Sequence, residues 1–188
     1  MNEGTKKKKK WPLVAGVIVA LIIVAACVGG GEGAKKIGDS SDGSNSSASV
    51  TSTEQSKFAI GDVVELNGVQ VTLVGVTESA GAQYLEPAEG NVFLLCEFEI
   101  NNQSSKDIGV SSIMSFEAYC DDYSISESFT AETVAVNDGK KQLDGTVAAG
   151  KKMNGVVGYE VPKDWKKLEV TYSPDYWGSK SITFEASK

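Results

Sequence analysis

The sequence predicts an all-β fold, an antiparallel sandwich of about eight or nine short strands, preceded by an N-terminal apolar segment that signals export or anchors the chain. Three observations lead there. Short runs of alternating apolar and polar residues recur from about Lys57 to Lys188 of the 188-residue chain, and no stretch of that part keeps a helical period. Turn-forming pairs and clusters such as Asn67-Gly68 and Asn101-Asn102-Gln103-Ser104-Ser105 separate the runs. Isolated strands cannot bury both faces, so two stacked sheets are the natural arrangement.

The first element spans residues 1–27. Five lysines, Lys6 to Lys10, precede an uncharged run, WPLVAGVIVALIIVAAC, from Trp11 to Cys27. A basic cluster, an apolar stretch and small residues make a secretory signal, with the lysines held on the cytoplasmic side. Val24-Ala25-Ala26-Cys27 resembles the lipobox of bacterial lipoproteins, in which the cysteine thiol is lipidated and becomes residue one after cleavage. Two acyl chains suffice for stable anchoring. The other reading is an uncleaved single-pass helix with Cys27 at its outer end, since the apolar run is just long enough to span. Both readings put the remainder on the extracellular face of the cell membrane.

Residues 28–56 hold glycine, serine, threonine, aspartate and asparagine with little to bury. Ordering such a segment costs entropy with no compensating burial, so a disordered linker is expected, with a reach of about 30 Å.

The globular part is expected over 57–188. Residues 62–66 and 69–77 flank Asn67-Gly68, the strongest short hairpin signal. A loop covers about 78–90. The run 91–100 is a long strand with Val92, Leu94, Cys96, Phe98 and Ile100 on one face. Its other face ends in Glu97 and Glu99 and meets water. Further strands are expected near 108–121, 123–130, 142–147, 152–161, 167–173 and 180–186.

Cys96 and Cys120 both fall on apolar faces, of different strands. In an oxidising compartment they can form a disulfide, which would constrain the unfolded chain by roughly 3 kcal/mol. The bridge is the expected state, and two free thiols packed as small hydrophobes are the alternative.

Composition excludes much chemistry. All 18 basic residues are lysine; histidine and arginine are absent. Histidine catalysis and histidine metal sites are therefore excluded, and so is bidentate arginine readout of phosphate or guanine. From Cys27 onward, 13 lysines face 24 acidic residues, a balance of −11 that disfavours nucleic acid. A serine nucleophile lacks a histidine base, and the paired lysines lie in charged turns. Asp121-Asp122 lacks the spaced oxygens of a calcium loop and suits a solvated turn. Neither a cofactor nor a metal is expected, nor is enzymatic activity.

Trp165, Tyr172, Tyr176 and Trp177 cluster within thirteen residues, interrupted by Pro174 and Asp175. They are either an exposed binding patch for a protein or glycan, or lids on the open end of the core.

Several segments carry a family likeness: Phe58-Ala-Ile-Gly-Asp62 with Val71-Thr72, Pro87 to Phe93, Asn101-Asn102, Ala149 to Lys152, Gly155 to Pro162 and Trp165 to Tyr172. In order and spacing they resemble a family of extracellular domains of unassigned function found mainly on Gram-positive lipoproteins. The resemblance covers about 57–186. It implies an immunoglobulin-like sandwich, similar to a secreted mycobacterial immunoprotective antigen, and assigns no catalytic residues. The functional expectation is a membrane-anchored extracellular recognition module whose partner is an extracellular protein or glycan. The alternative is a structural or envelope-homeostasis lipoprotein.

Overall fold

A computed structural model describes residues 33–37, 56–174 and 180–188. In chain order the strands are β1 (Lys35–Ile37), β2 (Lys57–Ala59), β3 (Val63–Leu66), β4 (Val69–Ser79), β5 (Asn91–Asn102), β6 (Ile108–Val110), β7 (Phe116–Cys120) and β8 (Tyr123–Ile125). A helix, α1 (Phe129–Asn137), precedes β9 (Gly145–Val147), β10 (Lys152–Pro162), β11 (Lys167–Tyr172) and β12 (Ile182–Ser187).

Two five-stranded sheets form, in the orders β1-β3-β4-β5-β10 and β2-β12-β11-β7-β8, and β6 pairs with β9 separately. The fold is the expected all-β sandwich. Among the described strands the pairings are antiparallel except that of β2 with β12, which is parallel.

Local chemistry accounts for most elements. Asn67 and Gly68 both take positive φ, 55° and 77°, as the tight turn between β3 and β4 requires. The alternation of β5 sends Leu94, Cys96, Phe98 and Ile100 into the core, all fully buried. Facing side chains interlock across the two sheets. The rings of Phe98 and Phe116 lie 5.0 Å apart and those of Phe98 and Phe184 6.0 Å, while Phe116 and Tyr172, neighbours within the second sheet, lie 5.2 Å apart.

The expected strand over 108–121 is two strands. Ser111 to Ser115 form a turn between β6 and β7, closed by the Ser115 N–H on the Ser111 carbonyl at 2.8 Å. The expected strand over 123–130 stops at Ile125, and α1 follows. Ser128 caps that helix by accepting the Ala131 N–H. Ala131 and Val134 pack on Phe93, with Leu85 and Leu95 beside them. Thus α1 covers the apolar half of the outer face of β5. Gly158 of β10 permits the close approach, because a Cβ there would lie 2.7 Å from Ala131 Cβ and 2.9 Å from Glu132 N.

The same excursion protects the free edge of β10. Ser128 donates its N–H to the Gly158 carbonyl (2.7 Å), and Lys141 accepts the Val156 N–H (2.8 Å).

The expected linker over 28–56 contains β1, which pairs with β3 through Lys35–Glu65, Lys36–Val64 and Ile37–Val63. The rest of that linker, apart from Gly33, Ala34 and Ser56, lies outside the described residues.

The disulfide expectation is corrected: Cys96 and Cys120 are free and buried. They lie on β5 and β7, which belong to different sheets. They are also out of step along the core. Phe98 packs on Phe116, yet Cys120 lies four residues beyond Phe116 and Cys96 only two from Phe98.

The two ends of the sandwich differ. At one end Leu66 pairs with Val69, Val69 with Asn102, and Asn101 with Lys152. At the corresponding end of the second sheet Lys57 pairs with Thr183, Ile182 with Tyr172 and Tyr172 with Phe116. Both β1 and β2 start at this end, called the proximal end below. The distal end carries the loop 80–90, the Asp121-Asp122 turn and Trp165.

Candidate functional site

At the proximal end, a cavity of about 260 Å³ opens between the 109–115 segment and the end of β11. Val110, Met114 and Pro174 supply apolar walls, and Ser111, Ser115 and Ser173 supply polar ones. The serines also build the site. The Ser111 N–H donates to Ser115 Oγ (3.1 Å), and the Ser173 N–H donates to the Ser115 carbonyl (2.9 Å). Buried Ser112 gives Asp144 two hydrogen bonds, one from its N–H (3.1 Å) and one from its Oγ (3.0 Å). This held turn pushes Ile113 and Met114 outward, where they are 67% and 58% exposed. The result is a concave, partly apolar surface with an apolar tip beside it. Among the described residues its lining holds no nucleophile–base pair.

The aromatic cluster expected from sequence divides. Trp165 is buried at the distal end, its indole N–H on Glu78 Oε1 at 2.6 Å. Tyr172 is fully buried against Phe116, and burial pushes its phenol up to about 12. Neither offers its ring to a partner, so the patch expected from these two is corrected to core packing. Tyr176 and Trp177 lie outside the described residues, immediately after the Pro174 wall of the cavity, as does Cys27.

Ile113 and Met114 escaped the sequence reading because 108–121 looked like one continuous strand. The serines on both sides, Ser111-Ser112 and Ser115, were the available turn signal.

A second unusual group lies under α1. Glu132 is only 4% exposed, and its Oε1 has no partner. Burial pushes its carboxyl above the usual carboxylate range, and the nearby charges of Asp144 and Glu127 act in the same direction. Gln142 donates to its Oε2 at 3.3 Å, and the Gly158 backbone N–H also donates to the carboxylate. The Tyr159 hydroxyl is likewise buried without a partner, and burial raises its titration well above the ordinary phenol range.

Among the described residues no three of histidine, cysteine, aspartate and glutamate gather as a metal site. No described helix is long and apolar enough to cross a membrane.

Solved structures share the fold. One is ycdA of Bacillus subtilis, described as a "putative lipoprotein": TM-score 0.52, 22% identity, covering 64% of this chain and 37% of that one. This chain therefore spans little more than a third of ycdA. Another is yjhA of Bacillus subtilis, with TM-score 0.52, 17% identity and coverage of 69% of this chain and 98% of that one. No curated protein matches the chain. Residues 58–182 match the family model described as "Domain of unknown function (DUF4352)", and the chain belongs to that family.

Proposed function

We propose that the chain is a membrane-tethered extracellular binding module, held by a lipid on Cys27. One observation carries the reading: a lysine run, an apolar stretch and Val24-Ala-Ala-Cys27 stand directly ahead of a β-sandwich whose β1 and β2 both start at one end. The lipoprotein description of ycdA, a fold neighbour, fits it. Metabolic labelling with a clickable fatty acid tests it. The wild type takes the label and Cys27→Ala does not. A labelled Cys27→Ala chain, or an unlabelled wild type, leaves the uncleaved single-pass anchor as the reading.

The partner in this reading is an extracellular protein or glycan, neutral or basic, because the domain is acidic. Tyr176 and Trp177 are the residues proposed to contact it, since Trp165 and Tyr172 are committed to the core. Crosslinking capture from the native envelope separates this role from a structural or envelope-homeostasis one. Replacing Tyr176 and Trp177 by alanine weakens capture and leaves the thermal midpoint nearly unchanged. A large fall in the midpoint would assign both rings to the core instead.

A further inference from the structure

We propose that the cavity between the 109–115 segment and the end of β11 binds a neutral phenol ring, as a tyrosine side chain of a protein partner or a free phenol presents it; this rests on the binding reading above and narrows its ligand. Three properties of the walls select that chemistry.

The first is size. The cavity holds about 260 Å³. Sites for drug-sized ligands run from about 300 to 1,000 Å³, so this one takes a single ring and little more.

The second is charge. Among the described residues that line the cavity none is ionisable. Asp144, the carboxylate tied to the same turn, already accepts the N–H and the hydroxyl of Ser112. An ion entering here would lose its hydration and gain no counter-charge, so the ligand is neutral.

The third is how the polar atoms are used. Ser115 Oγ accepts the Ser111 N–H, which leaves its own O–H to donate. The Ser111 and Ser173 side-chain hydroxyls make no hydrogen bond with a described residue. These few hydroxyls stand among the apolar walls of Val110, Met114 and Pro174. A sugar ring carries a hydroxyl on nearly every carbon, and such walls would leave most of them buried without partners, at a cost. A ring with no polar atom would leave the serines unanswered. A phenol meets both demands, with apolar faces and one hydroxyl at its edge. Met114 adds a thioether, which makes favourable contacts with aromatic rings.

The test uses the full chain in lipid nanodiscs with isotope-labelled methionine methyl groups, read by nuclear magnetic resonance. Met114 lines the cavity and reports binding, whereas Met153 packs against the core and serves as the control. The probes are N-acetyltyrosinamide, p-cresol, N-acetylphenylalaninamide and methyl glucoside. Both phenols shift the Met114 signal saturably at millimolar concentration, methyl glucoside does not, and Met153 stays in place. The phenylalanine analogue binds about three- to tenfold more weakly than the tyrosine one, the size of one net hydrogen bond. Substituting Ser111→Ala and Ser173→Ala together imposes a similar loss on the phenols and none on the phenylalanine analogue. An unchanged Met153 signal and thermal midpoint verify that this variant keeps its fold. Tighter binding of N-acetyltyrosinamide than of p-cresol assigns the ring to a protein partner, and the reverse order assigns it to a free phenol; both uphold the phenol site. No saturable Met114 shift with either phenol, a Met114 shift with methyl glucoside, or equal affinity for the tyrosine and phenylalanine analogues overturns it. Crosslinking capture from the native envelope that persists alongside any of these outcomes leaves the binding reading standing, whereas phenol binding without capture removes that reading and keeps the site.

Discussion

Trp165 donates its indole N–H to Glu78 Oε1 at 2.6 Å, joining the loop after β10 to the end of β4 across the distal end. Lys188 reaches the same oxygen at 2.7 Å and lies 5.9 Å from the centre of the indole ring. The carboxyl of Glu78 is held below the usual range, by Lys188 first and Trp165 second. Of the two roles the sequence left open for Trp165, binding aromatic or lid on the core, the structure takes the lid. Trp165→Ala is expected to destabilise the domain by about 3 kcal/mol or more. Glu78→Gln should cost far less, because the glutamine amide oxygen still accepts the indole N–H. Chemical denaturation of the two variants distinguishes these outcomes, and near-equal losses would contradict the packing account.

The free thiols give a second expectation. Cys96 is fully buried, and burial pushes its thiol up to about 12. Burial raises Cys120 as well, with the Asp121 charge adding to it. Thiolate is the reactive form, so both residues should resist maleimide at pH 8 in the native protein and react fully once denatured without reductant. A mass measurement showing either thiol missing after denaturation would restore the disulfide.

Glu132 should make stability depend on pH. Its carboxyl titrates higher in the folded protein than in the unfolded chain, so the folded form prefers the proton. Below the ordinary value near 4.5, both states are protonated and no penalty exists. As pH rises from there through the raised folded value, the unfolded state gains and stability falls. Glu132→Gln keeps an acceptor for Gly158 N–H and removes the buried charge. The variant should match wild type near pH 4 and exceed it by about 1 kcal/mol at pH 8, a typical figure for relieving an unsatisfied buried group. Thermal melts across that range check it; a gap independent of pH would refute the assignment.

Asp121 and Asp122 form the two-residue turn between β7 and β8, at φ 49° and 69°, a region costly for side chains other than asparagine, aspartate or glycine. Their roles differ. Asp121 accepts the backbone N–H groups of Lys166 (3.0 and 3.1 Å) and Lys167 (2.8 Å), whereas Asp122 reaches only the Lys167 ammonium in solvent. Asp122→Gly should be neutral or slightly stabilising. Asp121→Gly should lose about 1–2 kcal/mol despite relieving the same backbone strain. Paired urea titrations test the contrast, and similar effects would show that the Lys166–Lys167 contacts contribute nothing.

What sequence made legible follows the range of the interactions involved. Asn67-Gly68 signals its hairpin because both residues accept positive φ, and the parity of β5 is visible because one face is apolar along its length. Helix α1 was hidden. Its nine residues, FTAETVAVN, are rich in threonine and valine, and much of its support comes from Phe93, Leu85 and the bare backbone of Gly158, none of them local. Trp165 was ambiguous for the same reason. Whether an aromatic is exposed depended on Glu78, 87 positions away. The cavity by Met114 was illegible because it arises where two distant turns meet.

The parallel pairing of β2 with β12 sets the order of events during synthesis. Phe58 registers with Phe184, so the second sheet cannot take up its amino-terminal strand until the ribosome has released residues more than 120 positions later. Its centre is equally late, since β11 lies between β7 and β12. Long-range closure of this kind slows folding because the loop entropy is lost before the contacts form. A nascent chain that lacks β12 can pair the strands of the first sheet but leaves the second without the strand that joins β2 to β11.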